Sequence, residues 1–144
     1  PERQRPGSTS RENSVEAKLV SRITERLLSR LAPKKLGVIS PYDDQIDLLN
    51  SLIDGEDLEI KTVDGFQGRE KEVIIISLVR SNDNGELGFL TDVRRLNVSL
   101  TRARRKLIMI GDTGTLKYNQ TYKKLIRYVK ENDFYTEVAE LTTV

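Results

Sequence analysis

Five arginines stand within twelve residues, Arg94, Arg95, Arg102, Arg104 and Arg105, in the run DVRRLNVSLTRARRK. Guanidinium is planar, permanently charged and forked, the geometry that neutralises phosphoryl oxygens two at a time. On a helix, spacings of four and three align Arg95, Ser99 and Arg102 on one stripe, with Val93, Leu96, Leu100 and Ala103 on an apolar one. Few acidic residues are close by in the run, so the cluster is expected to face phosphates. A second run, TVDGFQGREKEVIIISLVRSN at residues 62–82, sets Gly65, Gln67, Gly68 and a Glu70–Lys71 pair before a solid apolar block.

The glycines invite a phosphate-loop reading, which fails. A Walker A loop needs two glycines five apart, then Lys and Ser/Thr opening a helix. Here Lys71 is followed by Glu72, and the segment runs into a strand. The second half of a dinucleotide fingerprint is also missing. Alone, the segment reads as a glycine-relieved turn between strands.

Composition narrows the chemistry. The 144 residues contain no Cys and no His, which removes disulfides, cysteine nucleophiles, imidazole bases and the commonest zinc sites. What remains is carboxylates, Lys, Arg, hydroxyls and backbone amides. The chain is 37% hydrophobic and 32% charged, the balance of one soluble globular domain. Neither a membrane span nor a signal peptide is apparent, and an intracellular location is expected. The net charge of +2 conceals blocks of +5 over residues 1–35, −7 over 36–79 and +4 over 80–144. Such blocks are commonly solvated faces, and they can also meet phosphates.

The elements that must hold these residues follow from periodicity. Residues 1–12, rich in Pro, Arg, Ser and Gly, predict a mobile arm. Asn13 with Glu16 reads as an N-cap and capping-box pair, opening a helix with Val15, Leu19, Ile23, Leu27 and Leu31 on one stripe. Strands are expected at LGVIS (36–40), LEIKTV (58–63), EVIIISLV (72–79) and KLIMIGD (106–112). Helices are expected at 43–53, with Ile46, Leu49 and Ile53 inward, at 92 to about 104, and at 119–131. The domain then spans 13–132, with a tail at 133–144. Strands separated by helices imply an α/β fold, a three-layer parallel sheet flanked by helices. Ligands of such sheets sit at the carboxyl ends of the strands, here SPYDDQ, TVDGFQG, RSNDNG and GDTG.

The combination resembles a known family. TVDGFQGREKEVIIISLVRSN is similar to motif V and its extension in superfamily 1 helicases, RRLNVSLTRARRKLIMIGD to motif VI, and GVISPYDDQIDLL to motif IV. The nearest branch is 1B, typified by the nonsense-mediated-decay RNA helicase, and GSTSRENSVEAKLV resembles the stretch preceding motif IV there. The resemblance covers roughly residues 7–130. It implies a RecA-like fold without its own Walker A, the second of two such domains in a longer protein. ATP and Mg2+ would be held mainly by the first RecA-like domain, in a cleft between the two. The activity implied is ATP-dependent translocation on single-stranded DNA or RNA and duplex unwinding, with 5′-3′ polarity.

Roles carry over position by position. Arg102 matches the arginine finger on the γ-phosphate, and Glu70 a motif V glutamate near ribose and phosphates. Gly68 would allow the close backbone approach this needs. Ser40, Pro41, Tyr42, Thr62 and Val63 match positions at the nucleic-acid groove, and Gln67 and Arg95 positions that couple groove to nucleotide. Two rivals stand beside this reading. Glu59-Ile-Lys61 with Asp43 has the form of a magnesium-dependent nuclease site. A nucleic-acid-binding module without ATPase is the other, although few aromatics speak for a stacking platform.

Overall fold

The computed structural model describes residues 1–66 and 70–138. Four parallel strands form one sheet in the order β2-β1-β3-β4: β1 Leu36–Ile39, β2 Glu59–Lys61, β3 Lys71–Ser77 and β4 Ala103–Ile110. Helices α1 (Ser14–Leu28) and α2 (Asp43–Leu52) pack on one face. On the other lie α3 (Val93–Leu100), α4 (Thr113–Leu116), α5 (Gln120–Glu131) and two single-turn 3-10 helices, Val63–Phe66 and Gly88–Thr91.

Strand alternation divides the core. Leu36, Val38, Val73 and Ile75 face α1 and α2, while Ile39, Ile74 and Ile76 face α3 and Tyr122. Both faces are therefore apolar, as a covered parallel sheet requires. The expected fold class is the one observed. Gly37 is the exception in β1 because Phe66 occupies its face: an added Cβ would lie 2.9 Å from that ring.

Several boundaries differ from expectation. The helix expected to reach residue 104 ends at Leu100, and Ala103 already pairs with Lys71. Lys71 N–H donates to Arg102 C=O at 3.0 Å, so β4 extends to satisfy the full length of β3. Arg105 consequently lies inside the strand instead of before it. The register slips by one residue between the Lys71–Ala103 and Val73–Lys106 pairs, a bulge at Arg104 and Arg105. Thr62 and Val63 lie beyond the end of β2, and Val63 enters the 3-10 turn. On α1, Val15 is exposed, and the fully buried line is Glu16, Ala17, Val20 and Thr24, with Leu19, Ile23 and Leu27 beside it. On α3, Val93 is likewise exposed.

Residues 1–12, whose composition predicts a mobile arm, form a docked strap. Arg3 and Glu12 exchange backbone hydrogen bonds, and Glu12, almost wholly buried, accepts from the side chains of both Arg3 and Arg5. The strap also caps α2, whose own N-cap residue Tyr42 supplies no side-chain acceptor. Ser10 Oγ accepts from Asp44 N–H at 3.2 Å, and Ser8 Oγ donates to Asp44 Oδ2 at 2.7 Å. Glu2 Oε1 reaches the end of β3, accepting from Arg80 Nε, Ser81 N–H and Asn82 Nδ2. Composition reports few apolar groups, and this strap is held by charge and hydrogen bonds instead.

Candidate nucleic-acid and nucleotide interface

The sequence candidates fall at the two opposite ends of the sheet. Ser40, Pro41, Tyr42, Thr62 and Val63 lie at the carboxyl edge, after β1 and β2. Glu70 and Arg102 lie at the amino edge, just before β3 and β4. One described segment joins the ends. Helix α3 descends from Asp92 at the carboxyl edge to Arg102, and residues 63–66 pack on the same face of the sheet. Gln67 and Gly68 lie outside the described residues. Just before them, Phe66 is seated on Gly37.

At the carboxyl edge, most candidate side chains point inward. Ser40 is fully buried, and its N–H donates to Lys61 C=O, continuing the β1–β2 pairing. Tyr42 is 2% exposed: its hydroxyl donates to Leu87 C=O at 3.1 Å and accepts from Arg80 Nη1 at 3.2 Å, and its ring stacks on Phe89. Tyr42 is therefore a support, with its ring closed to a ligand. Val63 belongs to the core. Pro41 and Thr62 are partly open. A small groove, floored by the core residues Ile76, Leu78 and Leu96, opens between Pro41, Val63, Phe89, Asp92 and Arg95.

Below this edge lies a buried polar network. Asn13 Oδ1 accepts from Glu16 N–H, the expected cap, but the reciprocal half of the box is absent. Glu16 Oε1 instead accepts from Ser77 Oγ and from Val79 N–H, both at 2.9 Å. Asn13 N–H turns to Gln45 Oε1, and Asn13 Nδ2 donates to Val79 C=O. Val79 has a φ of 70°, a left-handed conformation costly for a β-branched residue. The bonds to both of its backbone groups hold it there. Burial, only partly offset by those donors, pushes the Glu16 carboxyl up to about 7. Glu2 and Asp112 are also desolvated, yet their hydrogen bonds win and hold both below the usual carboxylate range. Arg5, then Arg3, does the same for Glu12 despite its burial.

At the amino edge, the arginines have more acidic company than the run implies. Arg104 Nε donates to Glu70 Oε2 at 3.1 Å, and Arg105 Nε lies 2.9 Å from Glu72 Oε2. Arg104 also lies 4.0 Å from Glu72, because the bulge aims two successive side chains at one carboxylate. Arg95 sits between Asp64 (3.6 Å) and Asp92 (3.5 Å), tying α3 to the 3-10 turn Val63–Phe66. Ser99 is buried and donates to Arg95 C=O, so the Arg95–Ser99–Arg102 stripe does not face solvent as a unit. Arg102 sits at the turn into β4, half-buried, with Nε on Val98 C=O at 3.2 Å.

The nuclease constellation does not assemble. Glu59 Oε1 pairs with Lys71 Nζ at 3.1 Å across the sheet, and Lys61 is exposed. Asp43 belongs to the exposed start of α2. Among the described residues no group of three or more acidic side chains is placed to hold a metal ion. Three residues escaped sequence reasoning: Arg80, buried against Tyr42; Asp92, the N-cap of α3; and Phe89. Only Asp92 has a local signal, an acceptor before an apolar-periodic run.

Residues 1–114 match the AAA domain family. The chain belongs to that family. It is 47% identical over 130 residues to the DNA polymerase alpha-associated DNA helicase A of Saccharomyces cerevisiae, an overlap of 85% of this chain and 19% of the yeast protein. It is 45% identical over 131 residues to an uncharacterized ATP-dependent helicase of Methanocaldococcus jannaschii, covering 90% and 19%. To the DNA-binding protein SMUBP-2 of Rattus norvegicus it is 42% identical over 139 residues, covering 94% and 14%. The chain spans less than a fifth of these relatives' length. The likeness to superfamily 1 helicases holds, and this AAA domain is of the kind found in ATP-dependent helicases. Among the described residues no helix is long and apolar enough to cross a membrane.

Proposed function

We propose that this domain is the second, C-terminal RecA-like half of a superfamily 1B helicase motor. The observation that carries the reading is the course of α3, which links a candidate strand edge at Asp92 to a candidate nucleotide edge at Arg102. A motor needs such a link, because hydrolysis at one place must move a strand held at another.

At the nucleotide edge, Arg102 stabilises charge on the γ-phosphate of an ATP held by a first RecA-like domain elsewhere in the polypeptide. That partner domain supplies the magnesium ligands and the phosphate loop, for which this chain has no residues in the required pattern. Glu70, fixed by Arg104, accepts from the ribose or orients the neighbouring backbone. Gln67 and Gly68 complete the approach to the phosphates. At the strand edge, the backbone around Ser40, Pro41, Thr62 and Val63 meets nucleic-acid phosphates, with Tyr42 as the buried support. Arg95, bridging Asp64 and Asp92, couples the edges. Movement along the strand is 5′-3′, as the likeness to the 1B branch implies.

The test is domain complementation. The chain alone is expected to hydrolyse no ATP, and the full-length protein to hydrolyse it in a strand-dependent way. Turnover by the purified chain that is lost on changing one of its own residues would refute the half-site reading.

A further inference from the structure

Phe89 is a half-exposed aromatic ring at the surface, resting on the buried Tyr42. It is 51% exposed, although it stacks on Tyr42 with ring centroids 5.2 Å apart and an interplanar angle of 27°. Tyr42 is itself clamped through its hydroxyl by Leu87 C=O and Arg80. Gly88, at a φ of 53°, is the hinge that makes this possible: a Cβ there would come 2.2 Å from Arg80 Nη1. The chain thus builds a three-tier support of Arg80, Tyr42 and Phe89, and leaves the outer ring bare.

We infer that Phe89 is a stacking platform for one nucleobase of a bound single strand, an inference that rests on the strand-binding reading proposed above. Several observations select this occupant. The ring shares its groove with Pro41, Val63, Asp92 and Arg95, at the edge assigned to the strand. A single base matches a single exposed ring in area, whereas a protein partner needs a broader apolar surface. The charged side chains that line the groove are Asp92 and Arg95. Arg94, exposed and without an ion-pair partner among the described residues, stands five positions along, at the start of α3. It can neutralise a flanking phosphate while the ring takes the base. Stacking is indifferent to base identity, because every base has a π-face. The platform therefore adds affinity without sequence preference.

The chain contains no tryptophan, so Phe89→Trp installs a sole reporter at the site. Oligothymidylate and its fully abasic counterpart, which keeps the charges and lacks the bases, would be titrated at low salt. Binding would be followed independently by anisotropy of labelled strands. The expected result is quenching of Trp fluorescence by oligothymidylate but not by the abasic strand. Phe89→Ala and Phe89→Leu should each weaken binding of the intact strand by roughly five- to hundredfold and leave the abasic strand unaffected. Leucine keeps an apolar cover over Tyr42, so an intact far-ultraviolet spectrum with lost affinity isolates the ring itself. Equal quenching by both strands, binding without quenching, or wild-type affinity in Phe89→Leu would overturn the platform and leave strand binding standing. Absence of binding to either strand would overturn the strand-edge reading and the platform with it.

Discussion

Phe66 stands on Gly37, whose missing side chain leaves room for the ring against β1. Gly37→Ala would push a methyl to 2.9 Å from both Phe66 and Ile74. Such overpacking is expected to destabilise the domain by about 1–3 kcal/mol. Phe66→Leu should be costly alone but should offset part of the Gly37→Ala loss, because the two changes share one volume. Urea midpoints of the two single variants and the double variant would decide it. Strict additivity would mean the ring does not rest on Gly37.

The arginines at the amino edge are equal in charge but not in position. In the full-length protein, Arg102→Ala is expected to cut ATP turnover by roughly two to four orders of magnitude. Arg102→Lys should rescue little, since one ammonium cannot reproduce a planar fork. Arg105, 83% exposed and paired among the described residues with Glu72, should be nearly silent when changed to Ala. Turnover at saturating single strand would be measured for all three. Equal losses at Arg102 and Arg105 would remove the finger assignment.

Glu16 gives stability a pH dependence of unusual sign. Its carboxyl has an ordinary value of 4.5 when unfolded and about 7 when folded. Between those limits the folded state holds the extra proton, so stability from this group is full below 4.5 and declines as pH rises to about 7. The total is about 3 kcal/mol. Glu2, Glu12 and Asp112 act oppositely: lowered on folding, they contribute above the usual carboxylate range and lose that contribution as pH falls through their folded values. Glu16→Gln should flatten denaturation midpoints between pH 4.5 and 7 while leaving the acid limb. Parallel profiles for the two proteins would contradict this.

Strand binding by the domain is expected to be weak, indifferent to sequence and sharply reduced by salt, because phosphates carry most of it. Anisotropy titrations of homopolymer strands across a salt series would test this. Binding that survives high salt, or a marked preference for one base, would point to direct base readout.

The sheet was legible because its strands are continuous apolar runs, and Val73 to Ile76 face two cores at once. Asn13 announced α1 through local chemistry, an acceptor for the Glu16 amide. The partners of the Glu16 carboxylate were not legible, since Ser77 and Val79 lie more than sixty residues away. Arg102 was found through motif similarity, but its place at the opposite edge from Ser40 depends on the direction in which α3 runs. The end of α3 was overrun because nothing local opposes helix at Thr101 to Arg104, and the unpaired length of β3 claims them. Tyr42 is matched to the groove by resemblance alone, which does not report that its side chain is buried, and Phe89 carries no local signal, since one Phe in a turn-rich stretch reads as core.

The place of β1 in the sheet bears on how the chain folds. It lies between β2 and β3, so it cannot be completed until β3 has been synthesised. Every strand pairing, Gly37 with Glu59, Leu36 with Val73 and Lys71 with Ala103, spans an intervening loop or helix, and none is a hairpin. Loop closure must then precede any reward, which puts folding among the slower small-domain topologies. Until β3 arrives, a nascent chain presents Leu36 to Ile39 with one edge bare, the interval in which a ribosome-bound chaperone has something to hold.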